Sequence, residues 1–168
     1  MSYSLPEFLA HAIALERESA ERYLELADMM ETYNNTDVSA LFREMHRYSV
    51  MHHDSVRERA GSVELPAIKS WQYRWSAPPE MTDEDAFDRE LDAFTALQYA
   101  HENELRAMNY YLSVTGDTDD PEVKRLATEF AAEEKEHAEA LDRWIAKTPR
   151  PSVTFDQDPE PDVMDKHR

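Results

Sequence analysis

Cysteine is absent from this 168-residue chain. That excludes disulfides, Cys-liganded zinc, iron–sulfur clusters and any rubredoxin-type iron site. Only 2 glycines are present, while Ala, Leu, Glu, Arg and Met are frequent, a balance that favours helix over β-structure. Positive charge is scarce: 18 basic residues stand against 36 acidic ones, a net charge of −18. Nucleic acid and anionic membrane surfaces are therefore not expected partners. No apolar run approaches the roughly 18 residues that a membrane helix needs. The first residues, Met1 to Glu7, hold no basic segment followed by an apolar one, so no signal peptide is expected and the default location is cytoplasmic.

What is present is a set of helical patterns. Caps and apolar periodicity predict helices over about 5–33, 37–60, 83–115 and 120–147, forming an all-α four-helix domain over 1–148. Ser4 with Glu7 forms a capping-box pattern, and Pro6 and Pro121 fit first turns. Asn34-Asn35 and Gly61 supply stops. Thr82-Asp83-Glu84-Asp85 reads as the opening of the third helix. Short connections make helices one and two, and three and four, antiparallel. The crossover over 61–82 is long enough to return along the bundle, which gives up-down-down-up topology. Trp71, Tyr73 and Trp75 are read as pinning that crossover, and 149–168 reads as an acidic, Pro-rich irregular tail.

The chain runs through one chemical pattern twice. Glu16 is followed by Tyr23, then by Ser49 and His52; Glu104 is followed by Tyr111, then by Glu134 and His137. Each falls on the apolar seam of its helix: Leu9, Glu16, Tyr23 and Met30 on the first, Phe42, Ser49, His52 and Val56 on the second. Leu97, Glu104 and Tyr111 mark the third seam, and Ala127, Phe130, Glu134, His137 and Leu141 the fourth. Ionised carboxylates in a bundle core require pairing or metal. A Glu and a His three residues apart share one helical face and can reach the same ion.

The two registered copies, Glu…Ser-x-x-His in the first half and Glu…Glu-x-x-His in the second, each with Tyr seven residues after the single Glu, resemble the rubrerythrin branch of the ferritin-like family over roughly residues 5–147. The resemblance implies a ferritin-like bundle with metal ligands Glu16, His52, Glu104, Glu134 and His137. It implies iron, two ions per site, with zinc or manganese as alternatives. The activity implied is oxidation–reduction with O2 or peroxide, or oxidation of ferrous iron, served by an external electron donor and carried by a homo-oligomer, a dimer being favoured. The chain departs from the family at Ser49, where a carboxylate is expected, at Ala107, where rubrerythrins often carry a further Glu, and in lacking any rubredoxin-like domain. The other class of function is a helical scaffold whose site has decayed to one metal or none.

Several neighbours bear on the gap at Ser49. His46 and His101 each precede a ligand position by three residues, about 4.5 Å along the helix, and are candidate nitrogen ligands or else core histidines. Tyr23 and Tyr111 are read as core residues whose hydroxyls can bond to ligand carboxylates. His11 is read as a surface residue. Glu18, Glu21, Glu25, Glu133 and Glu136 are read as a solvated face.

Overall fold

In the computed structural model, the described residues are 2–69, 72 and 92–152. They form four helices and, among the described residues, no strand: α1 (Leu5–Thr32), α2 (Thr36–Ala60), α3 (Ala93–Asp117) and α4 (Pro121–Lys147). The chain is an all-α, ferritin-like bundle.

Local chemistry sets most of the ends. The capping box forms at α1, where Ser4 accepts from the Glu7 amide and the Glu7 carboxylate reaches back to the Ser4 amide. Asp120 accepts from the amides of Glu122 and Val123 to open α4. Gly61 closes α2 at φ 52°, a conformation that glycine adopts without a Cβ penalty. Between α1 and α2, Asn34 takes φ 58°, a region where asparagine is among the better-tolerated residues.

The third helix starts later than the sequence pattern suggests. Asp92, in extended conformation, caps it by accepting from the Thr95 amide, and it runs through Gly116 to Asp117. The Thr82–Asp85 stretch and the aromatics Trp71, Tyr73 and Trp75 lie outside the described residues.

Cross-helix contacts fix the directions. Tyr3 meets Tyr110 and Thr118, while Tyr23, farther along α1, meets Glu104. So α1 and α3 are antiparallel. Along α2 the order Tyr48, His52, Arg59 meets His137, Glu133, Glu129, so α2 and α4 are antiparallel too. With short loops joining α1 to α2 and α3 to α4, the topology is up-down-down-up, and α2 runs parallel to α3.

The apolar core is split in two. One cluster holds Phe8, Leu9, Leu15, Tyr111, Val123 and Phe130, and the other Leu26, Met30, Phe42, Leu97 and Leu141. Between them lies a layer of buried polar groups: Glu16, Ser19, Ser49, Glu104 and Glu134. Packing above and below buries the carboxylates of that layer, which makes each of their charges expensive unless it is matched.

Candidate metal centre

Each helix contributes to the polar layer. α1 brings Glu16 and Ser19, α2 brings Ser49 and His52, α3 brings Glu104, and α4 brings Glu134 and His137. The three carboxylate residues are 4–5% exposed. Their helical positions follow from the seam, since each replaces an apolar residue in a three-four spacing.

The second half of the pattern comes together. His137 Nδ1 lies 3.6 Å from Glu104 Oε2 and 3.3 Å from Glu134 Oε2. One ligand atom from each of Glu104, Glu134 and His137 falls within 4.8 Å of the others. Two carboxylates and an imidazole around one point are hard and borderline donors that suit a divalent transition ion. Tyr23 donates a short hydrogen bond to the other carboxylate oxygen, Glu104 Oε1, so it holds the carboxylate of the opposite half. Burial alone would raise the Glu104 pKa. Bonds from His137, Glu134 and Tyr23, with the imidazole charge, bring it below the usual carboxylate value instead. Burial disfavours the charged form of His137, and Glu104 reverses the balance, so its pKa is raised.

The first half comes together only partly. His52 Nδ1 lies 3.7 Å from Glu16 Oε1. Ser49 is buried, and its hydroxyl bonds to the Ser19 hydroxyl at 3.2 Å, so a neutral pair fills the place of the missing carboxylate. Burial pushes the Glu16 pKa up despite the opposing pull of His52. His52 is raised chiefly by its bond to Glu16. The two imidazoles stack across the centre, with centroids 5.4 Å apart and planes 14° from parallel.

His46 and His101 are held elsewhere. His46 Nδ1 lies 2.7 Å from the carbonyl of Ala20 on α1, and His101 Nε2 lies 3.0 Å from the exposed Asp142 of α4. A three-residue step turns a side chain 60° off the ligand direction, and both rings find partners at the flank of the seam. Tyr111 is fully buried, and its hydroxyl has no hydrogen-bond partner among the described residues. Burial, then the charges of Glu16 and Glu134, push its pKa well above the ordinary value.

Two sequence readings are corrected. His11 is buried, not on the surface: its Nδ1 pairs with the Glu7 carbonyl at 2.7 Å and its ring packs edge-on to Tyr3. Glu133 is not simply part of a solvated face, because its carboxylate stands 3.7 Å from His52 Nε2. Sequence reasoning also missed Ser19, although its position three residues after Glu16 was the available signal.

Among the described residues, no helix is long and apolar enough to cross a membrane. No curated protein sequence matches the chain. A crystal structure of an uncharacterised conserved protein from Magnetospirillum magnetotacticum MS-1 is similar: 56% identity over 90% of this chain and 100% of that one, with a TM-score of 0.78. The rubrerythrin family model matches residues 7–85 and 95–163, and so spans both copies of the repeated ligand pattern. By that match, over most of its four-helix bundle, this chain belongs to the rubrerythrin family.

Proposed function

We propose that this chain is a metal-dependent oxidation–reduction protein that binds iron in the bundle core and reacts with O2 or peroxide, or oxidises ferrous iron. The observation that carries the reading is the convergence of Glu104, Glu134 and His137 in a layer whose carboxylates are buried. The donor set fits a metal. Three buried carboxylates in one layer have two imidazoles as their counter-charges, and buried charge of one sign calls for a cation. Glu104, Glu134 and His137 would hold one ion, and Glu16 and His52 would contribute to a second. Zinc or manganese also suits these donors.

A pair of ferrous ions held there would supply two electrons, one from each ion, which with two protons is what reducing H2O2 to two waters requires. The residues do the rest. Tyr23 fixes Glu104 by its hydrogen bond. The apolar clusters on either side bury the three carboxylates. Electrons return from a separate donor protein, because a chain without cysteine carries no thiolate-held iron of its own. Pairing of two bundles into a dimer and a cytoplasmic location belong to the same reading.

A second reading is favoured by the Ser49–Ser19 hydrogen bond, which closes the first half with neutral groups. Here the bundle holds one ion at Glu104, Glu134 and His137, or serves as a scaffold. Elemental analysis of dialysed, iron-supplemented protein separates the two. About two irons per chain, lost in Glu134→Ala, supports the first and leads on to rapid mixing with O2 and peroxide. One ion or none supports the second.

A further inference from the structure

The two imidazoles of the centre face different surroundings. Both turn Nδ1 towards the cluster carboxylates, His52 to Glu16 and His137 to Glu104 and Glu134. Behind them the repeat places corresponding residues, position 48 on α2 and position 133 on α4, each one before the Ser49 or Glu134 position. Tyr48 lies against the face of His137, with ring centroids 6.0 Å apart, and its hydroxyl bonds to Glu44 at 3.0 Å. Glu133 instead sets its Oε2 3.7 Å from His52 Nε2. The imidazole backed by a carboxylate is the one in the half that lacks a ligand carboxylate.

We propose that Glu133 is a positioning residue that offsets the loss at Ser49 by acting through His52, without itself being a ligand. A carboxylate behind Nε2 selects the tautomer with its proton there, leaving the Nδ1 lone pair on the Glu16 side. It also makes the imidazole a stronger donor, as carboxylate–histidine pairs do at metal sites. Two divalent ions bring four positive charges; Glu16, Glu104 and Glu134 supply three negative ones, and Glu133 supplies the fourth across the ring. Placement explains the choice. Ser49 is 3% exposed, so a carboxylate there would be fully desolvated, whereas the Glu133 side chain keeps 36% of its surface in water. The charge stays hydrated until it is needed.

This inference rests on the metal-binding reading above, and the experiment separates the two. Metal-free protein is titrated with Co2+, following stoichiometry and the visible absorption of the bound ion, for wild type, Glu133→Ala, Glu133→Asp, Glu136→Gln and Glu134→Ala. Glu136 is exposed on the same helix and controls for bulk charge. The expected result is two ions in wild type, with the weaker one losing about 10–100-fold in affinity in Glu133→Ala. Glu133→Asp restores most of that loss, and Glu136→Gln titrates as wild type. Glu133→Ala binding both ions as wild type does, or Glu136→Gln losing as much as Glu133→Ala, overturns the role of Glu133 and leaves metal binding standing. Wild type that takes up no Co2+, or no more than Glu134→Ala, overturns both.

Discussion

The two halves of the centre share a scaffold and a register but not a chemistry. Around Glu104 the partners are complete: Glu134 and His137 approach it within one ion's reach, and Tyr23 donates from across the bundle. Its pKa falls below the usual range although it is buried. Around Glu16, His52 is the ion-pair partner among the described residues, Ser49 has turned to Ser19, and burial keeps the Glu16 pKa raised. Equal burial with unequal partners gives opposite shifts. Both halves sit between the same two apolar clusters, which pack the helices above and below the layer.

The largest effect is expected from breaking the complete half. Glu134→Ala should abolish tight metal binding, which elemental analysis after dialysis would detect; a variant retaining wild-type metal content would place the ligands elsewhere. Next comes repair of the incomplete half. Ser49→Glu should destabilise the metal-free protein by about 3–5 kcal/mol, the penalty of an uncompensated buried charge. Added metal should reverse that loss, so thermal melts with and without the ion should diverge more than in wild type. Similar shifts in both states would mean that position 49 does not face the metal.

The tyrosines sharpen the comparison at a smaller scale. Tyr23→Phe removes a hydrogen bond to a charged group and should cost about 1.5–3 kcal/mol. Tyr111→Phe deletes a hydroxyl with no partner among the described residues and should be near neutral or slightly stabilising in denaturant melts of metal-free protein. Equal losses in both would contradict the asymmetry.

The smallest effect is that of pH. His52 and His137 have folded pKa values raised above the ordinary 6.5, so their stabilisation is full below pH 6.5 and is lost as pH rises through the folded values. Metal-free protein should melt lower as pH climbs above 6.5 through the raised values. Metal affinity should rise over the same window, because the ion displaces those protons. A flat melting profile for the metal-free protein would remove the imidazoles from the balance.

Much of the fold was legible because its signals are local. Capping at Ser4 and Asp120 and the stop at Gly61 depend on neighbours a few residues apart, and they set the observed ends. The sequence reading opened the third helix at Thr82–Asp85, which lies outside the described residues, whereas the helix described there starts at Ala93 behind the Asp92 cap. Of the site, the seam residues were legible and the flanking ones were not. Glu133, His46 and His101 sit at the edge of the seam, where a small rotation of the helix decides between solvent, backbone and centre.

By itself, the sequence determined four helices, a repeated ligand pattern, the gap at Ser49 and the exclusion of thiolate chemistry. Periodicity and composition are properties of single segments, and they need no knowledge of what lies opposite. Only the tertiary structure decided that Tyr23 serves the carboxylate of the other half, that Ser49 pairs with Ser19, and that Glu133 stands behind His52. Those contacts join different helices, and the relative rotation and direction of packed helices are fixed by the whole core at once.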